Sequence, residues 1–379
     1  MIHWSLHRYL DSSDNSYTSL QRLLSFLLIL YLIGLILAHT VLNYTVILSV
    51  SYILLLMFIL NGRVVISRNN IFYYILLPSL IIIPSFYGDF STFYDNLTII
   101  VSAIINVIIY ENFARIKLSK RQLYIFMWSL IFFSFFYAIL TSNYDRIFFL
   151  NKNTVPVLLL LMLFISDLYF REKKLLLFST WVFAIFFILA SQSRAGLLGI
   201  VSYFVFRNIK SKRFQVFLFT IFIIILTAVY IFHYLPGLLT FRIFGKSVTY
   251  LARRDILWNF ALNLIPKYPF GMGYKGYSEL FESVLAVSYS VHNTYLNILL
   301  QFGYVFFMIY IVFLVKLIKD SRLNITLACI FSVYLRAFFE SATPFGFSLS
   351  SALLILPFYM EKGFLSSNKE NKKKIRGEN

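Results

Sequence analysis

Apolar residues fall in long unbroken runs, divided by short polar segments. The runs cover 23–40, 44–61, 71–87, 96–112, 122–141, 154–170, 174–190, 195–206, 214–235, 292–318, 322–339 and 344–360. Most are close to the ~20 residues that carry a helix across the hydrocarbon core of a bilayer. They lack the period-2 alternation of barrel strands, and backbone in hydrocarbon is satisfied only by helices or closed barrels. The pattern therefore predicts an all-α polytopic membrane protein with about twelve transmembrane helices. The eighth run is short, and the tenth is expected to break at Gly303.

The boundaries divide the chain into residues 1–235 with helices one to nine, a long segment 236–291, residues 292–361 with the last three helices, and a basic tail, 362–379. The tail carries Lys372, Lys373, Lys374 and Arg376 and reads as a disordered, solvated charge run. The first run follows a polar stretch with no small-residue cleavage site behind it, so it reads as an uncleaved span.

Charge sets the orientation. With the N-terminus inside, alternate loops place 24 of the 34 Lys and Arg on the inner side. One such cluster is Arg115, Lys117, Lys120 and Arg121, whereas the 88–95 loop has two Asp and no base. This alternation is the positive-inside pattern. It puts both termini in the cytoplasm and the 236–291 segment outside. It also accounts for a net charge of +18 that would otherwise suggest nucleic acid. Apolar residues at 60% and charged residues at 13% exclude a soluble globular domain. The single Cys329 excludes an intramolecular disulfide.

Bases on the outer side break that rule and call for a reason. Six of them, Arg242, Lys246, Arg253, Arg254, Lys267 and Lys275, lie in 236–291, against Asp255, Glu279 and Glu282. Such a surplus suits an anionic ligand, and arginine binds phosphate with paired hydrogen bonds. Arg194 stands in Ser193-Arg194-Ala195-Gly196, at the outer junction of two spans, where it is either a charged turn or a functional cation. Arg336, four residues before Glu340, is either half of an i,i+4 ion pair or a ligand group. Residues 253–265 put Ile256, Leu257, Phe260 and Leu264 on one face. This predicts an amphipathic helix on the membrane surface, with Trp258 at headgroup level. Gly271 and Gly273 allow a tight turn, structural or turned toward a phosphate. His292 precedes Asn293 and Thr294, either of which suits a helix N-cap, and is a candidate general base at the mouth of the bundle. No metal-ligand cluster, Asp-x-Asp or Walker loop is present, so no cofactor is expected.

These residues resemble, in order, the O-antigen ligase and polymerase superfamily of bacterial envelope polysaccharide assembly. Three motifs carry the resemblance. The first is Ser193-Arg194-Ala195-Gly196. The second is Arg254, Trp258, Ala261 and Leu262 followed by Pro269-Phe270-Gly271-Met272-Gly273. The third is His292-Asn293-Thr294-Tyr295-Leu296 with Gly303. Asn151 to Asn153 are a weaker fourth. Gln301 stands where the family commonly has an acid, and Ser290 and Val291 stand where ligases acting on lipid A–core often have a further histidine, which favours polymerase over ligase.

The resemblance implies a fold like the C-type glycosyltransferases, with 236–291 as a periplasmic loop. It implies a glycosyltransferase of the bacterial inner membrane whose donor is an undecaprenyl-diphosphate-linked oligosaccharide. Lipopolysaccharide or related polysaccharide biosynthesis would be its process, with inner-membrane lipids, a chain-length regulator and a flippase as partners. By that resemblance His292 takes the acceptor proton, while Arg194, Arg254, Arg253 and Arg336 hold the diphosphate. Asn293, Gly271, Gly273 and Glu279 support the site, and Glu279 and Glu282 are spare bases. The other readings are an O-antigen ligase, a lipid-linked-oligosaccharide flippase, which should line a central cavity with charge, and a structural partner in an assembly complex.

Overall fold

Each apolar run contains helix in the computed structural model of the chain. The structure describes residues 14–37, 44–60, 68–86, 90–113, 120–141, 154–231, 242–243, 246–247, 254–274, 276–285, 291–340, 342 and 349–375. The helices are α1 (Asp14–Leu37), α2 (Tyr44–Leu60), α3 (Arg68–Ile81), α4 (Phe90–Phe113), α5 (Lys120–Thr141), α6 (Val155–Tyr169), α7 (Lys174–Ser191), α8 (Arg194–Asn208), α9 (Lys212–Ile231), α10 (Arg254–Leu264), α11 (Gly276–Leu285), α12 (Thr294–Asp320), α13 (Asn324–Arg336), α14 (Leu349–Leu353) and α15 (Leu356–Ile375). A two-residue antiparallel ladder pairs Arg242–Ile243 (β1) with Lys246–Ser247 (β2).

Among the described residues, four helical stretches are long and apolar enough to cross a bilayer: Phe93–Asn112, Lys120–Thr141, Lys174–Ser191 and Thr294–Asp320. Shorter apolar helices precede them (Gln21–Leu35, Asn70–Phe86), fall among them (Val155–Tyr169) and follow them (Asn324–Arg336). The architecture is that of an α-helical polytopic membrane protein.

Two helices are enclosed by the rest. Every residue of α6 from Val155 to Leu168 is buried, as is α13 from Thr326 to Arg336. These two form the centre, and α8 packs between them on its small residues. A Cβ on Gly196 would collide with Pro156 of α6 and Ile188 of α7, and one on Gly199 would press on Leu160 and the Arg336 stem. Small residues let helices approach this closely. At the edge, α5 shows Phe132, Phe133 and Phe136 more than half exposed, the surface a bilayer covers.

Two expectations are corrected. The basic tail continues as helix in α15 to Ile375, because the last apolar run breaks into α14 and α15 and the second piece extends through the lysines. The 253–265 segment is a helix, but its apolar side faces protein. Leu257, Trp258, Ala261 and Leu264 are buried against Tyr277 and Phe281 of α11 and Leu296 and Leu300 of α12, while Ile256 is 51% exposed. Trp258 is only 2% exposed and is turned to protein rather than lipid, its indole N–H donating to the Val291 carbonyl (2.8 Å).

Candidate functional site

The site lies where α6, α8 and α12 begin and α13 ends. Arg194 opens α8. The turn before it takes two residues: Gln192 closes α7 in the left-handed conformation (φ 50°), and Ser193 caps α8 by accepting from the Gly196 amide. The cap uses that amide, so it is not a ligand donor. Arg194 is thus fixed at the start of a helix, at the end whose dipole favours anions.

Arg254 opens α10, which is docked by Trp258. Burial pushes the Arg254 guanidinium below its ordinary pKa, Glu340 draws it back up, and Arg194 pushes it down. Two arginines from different helices therefore sit within electrostatic reach, and together they lower the cost of bringing an anion to that point. Arg336 is 4% exposed and interacts electrostatically with both Glu340 and Arg254. Its stem lies over Gly199, one turn below Arg194. Arg336 and Glu340 interact, but not along one helix: α13 stops at Arg336, and the Glu340 carboxylate also faces Arg254 and His292.

His292 has φ 51°, a left-handed conformation uncommon outside glycine. Its neighbours hold it there. Val291 is bonded to Trp258 on one side. On the other, Asn293 caps α12, its side chain accepting from the Tyr295 and Leu296 amides. The side chain of His292 remains 28% exposed, with Nδ1 3.9 Å from Glu340 Oε2. Thr294 ties the two helix ends together. Its amide donates to the Ala337 carbonyl (2.8 Å) and its hydroxyl to the Glu340 carbonyl (2.7 Å).

The glycines serve the scaffold. Gly271, Gly273 and Gly303 all have positive φ, and Gly303 breaks α12 as expected. A Cβ at Gly271 would strike the Gln301 backbone, and one at Gly303 the Pro269 carbonyl. The Met272 and Gly273 amides donate to the Leu300 and Gln301 carbonyls (2.7 and 3.0 Å), and the Tyr304 amide to Pro269. The turn therefore splices into the break, and these amides are not turned to a phosphate. Gln301 completes the splice, donating to the Tyr274 carbonyl (2.9 Å) and accepting from Asn297 (3.3 Å). An acid there could not donate to that carbonyl.

Arg253 and Asn151 to Asn153 lie outside the described residues. Glu279 falls within α11, but its side chain also lies outside them, and Glu282 is exposed. Sequence reasoning missed Glu340 as a member of the site. Its only signal was an acid just past a span end on a basic face. Among the described residues, no three His, Cys, Asp or Glu side chains group as metal ligands.

Residues 179–311 match a protein-family model described as O-antigen ligase. The matched span runs from α7 through the first half of α12, and includes Arg194, Arg254 and His292. The match supports the O-antigen ligase/polymerase superfamily, whose members are glycosyltransferase-like enzymes acting on lipid-linked glycans in the membrane. No curated protein and no solved structure matches the chain.

Proposed function

We propose that this protein is an O-antigen, or related surface polysaccharide, polymerase of the bacterial inner membrane. It spans the membrane about twelve times, with both termini cytoplasmic and 236–291 periplasmic. It joins repeat units carried on undecaprenyl diphosphate at the outer leaflet. The observation that carries the reading is the convergence of Arg194, Arg254 and His292, all within the part of the chain that matches the family, with Arg336 and Glu340 joining them from beyond it.

The chemistry follows from charge. An acceptor hydroxyl on one lipid-linked unit attacks the anomeric carbon of the donor glycan. Its proton passes to His292, the bond to the diphosphate oxygen breaks, and undecaprenyl diphosphate leaves with the electron pair. The developing negative charge falls among fixed guanidinium groups, which stabilise it without reorganising. A diphosphate is a good leaving group, so no general acid is needed.

The ligase reading differs only in the acceptor, lipid A–core. Polymerase is favoured because Ser290 and Val291 stand where such ligases often carry a histidine. The flippase reading is disfavoured because the cationic cluster gathers at one end of the bundle.

Complementation of a deletion strain, read as envelope polysaccharide on a gel, tests the proposal. Wild type restores a ladder, while His292→Ala and Arg194→Ala, at equal membrane abundance, leave core with a single repeat unit. A deletion that leaves bare core while lipid-linked polymer accumulates would make the protein a ligase. Full ladders from both variants would remove the site.

A further inference from the structure

Glu340 belongs to none of the motifs, yet it lies where His292 and Arg254 meet. Its side chain is 12% exposed, with Oε1 3.6 Å from Arg254 Nη2 and Oε2 3.9 Å from His292 Nδ1. One carboxylate therefore turns an oxygen to the cation of one motif and to the imidazole of another. Both separations exceed hydrogen-bond length, so it is shared between the two and locked to neither. Its backbone is fixed. The Glu340 carbonyl accepts from the Thr294 hydroxyl, and the Ala342 amide donates to the same hydroxyl at 3.1 Å. Thr294 is the first residue of α12, two after His292, so the imidazole and the carboxylate are held on one joint.

A carboxylate this enclosed is costly without counter-charge, and Arg254 and Arg336 supply it. The arrangement has two consequences. A carboxylate that closes from this distance to a hydrogen bond with Nδ1 fixes the tautomer and orientation of the imidazole, leaves Nε2 as the acceptor, and stabilises the imidazolium that proton transfer creates. And a carboxylate resting on Arg254 is the weaker of two anions once a diphosphate arrives, because the diphosphate carries more charge and more acceptor oxygens.

We propose that Glu340 is a positioning residue, which orients His292 through Nδ1 and holds Arg254 as an exchange partner until the donor diphosphate displaces it. This rests on the reading of His292 as proton acceptor and Arg254 as diphosphate ligand. With the donor bound, Arg254 turns to the phosphates and Glu340 is left to His292. The acceptor proton moves to Nε2 and the Nδ1 proton stays. The negative charge departs on undecaprenyl diphosphate, and the imidazolium then loses its proton to water.

The test uses the full chain in liposomes with a lipid-linked repeat unit as substrate and inorganic pyrophosphate as a competing probe. In Glu340→Gln, turnover should fall on the order of 10²-fold or more while the donor KM falls rather than rises. Pyrophosphate should inhibit this variant at a concentration about 10-fold lower, because the anion competing for Arg254 is gone. Glu340→Asp keeps the charge at a shorter reach. It should recover part of the turnover with wild-type pyrophosphate inhibition, and it carries the test if the Gln variant fails to fold. Turnover within about 3-fold of wild type in Glu340→Gln overturns the proposal, as does a parallel weakening of turnover and pyrophosphate inhibition, the mark of a merely structural role. His292→Ala and Arg254→Ala run beside it. If they too keep turnover, the underlying reading of the site falls. If they lose it while Glu340→Gln does not, only the inference fails.

Discussion

The two ends of the helix bundle treat their carboxylates in opposite ways. At the end where α6, α8 and α12 finish, three buried acids are closed by hydrogen bonds or ion pairs. Asp167 meets Arg207 at 2.6 Å and accepts from the Tyr203 hydroxyl at 2.8 Å. Glu361 accepts from the Ser321 hydroxyl and from the Arg322 and Leu323 amides, staking α15 to the turn between α12 and α13. Glu111 accepts from Asn70 and Tyr74. At the other end the balance is reversed. Arg254 and Arg336 both interact with Glu340, with Arg194 in electrostatic reach of Arg254, and the ion-pair distances from Glu340 to Arg254 and His292 are 3.6 and 3.9 Å. Saturated carboxylates hold helices together and leave little capacity for a ligand. A cationic excess around one loosely shared carboxylate is costly until an anion joins it. The first end is built as scaffold, and the second is where the proposed function puts the diphosphate.

The contrast breaks most sharply under charge removal. Arg254→Ala and Arg194→Ala should each lower glycan transfer on the order of 10²–10³-fold, the usual size for losing a fixed donor to developing charge, with little change in melting temperature. Asp167→Asn, at the other end, should do the reverse. It leaves Arg207 half-buried beside a neutral partner, which costs about 3 kcal/mol in buried pairs, while turnover per folded molecule is kept. Turnover assays beside thermal unfolding in detergent read both. If Asp167→Asn loses turnover as deeply as Arg254→Ala, the two ends are not functionally distinct.

Much of this contrast could be read in the sequence, and the part that could not has a physical cause. The helices followed from run length, since about 20 apolar residues need no tertiary information to declare themselves. Arg194, Arg254 and His292 were legible because a base on the outer side of a membrane protein has no reason of its own to be there. The break at Gly303 was expected from a glycine deep in an apolar run. Three features were not legible. α10 has an apolar face that suits a bilayer or a protein equally well, and only the Val291 carbonyl, 33 residues on, decides for Trp258. Gly271 and Gly273 allow several turns, and the choice is made by carbonyls of α12 freed at Gly303. Glu340 stands four residues after Arg336, the spacing of a helical pair. The helix stops at Arg336, so the spacing tells only part: the carboxylate keeps Arg336 in electrostatic reach and also faces partners 86 and 48 residues away.

The next effect tests the scaffold beneath the site. Gly303→Ala places a methyl group on the Pro269 carbonyl at a φ of 77°, where neither the space nor the conformation is available. Destabilisation should be about 3 kcal/mol, in line with an overpacked, strained position. Activity should fall with folded protein, because the splice to Met272 and Gly273 carries the segment between α10 and α12. A variant of unchanged melting temperature would mean that α12 can pass through 303 as regular helix and that the glycine turn is not held by it.

The smallest expected effect is the most discriminating. Trp258→Phe keeps an aromatic ring in the pocket formed with Phe281, Val291 and Leu296 but deletes the N–H that donates to the Val291 carbonyl. A lost hydrogen bond that leaves a buried carbonyl unsatisfied costs about 1–3 kcal/mol. That loss alone would look like any core change. What sets it apart is the neighbour: the bonded carbonyl belongs to the residue before His292, whose φ of 51° is sustained only while both flanking residues are held. Releasing one of them lets the backbone relax toward common conformations and carries the imidazole away from Glu340. Turnover should therefore drop several-fold more than the small loss of folded protein explains, with the donor KM nearly unchanged. A drop in step with stability would make Trp258 a core residue like its neighbours. A drop beyond it would show that α10 sets the position of the imidazole as well as presenting Arg254.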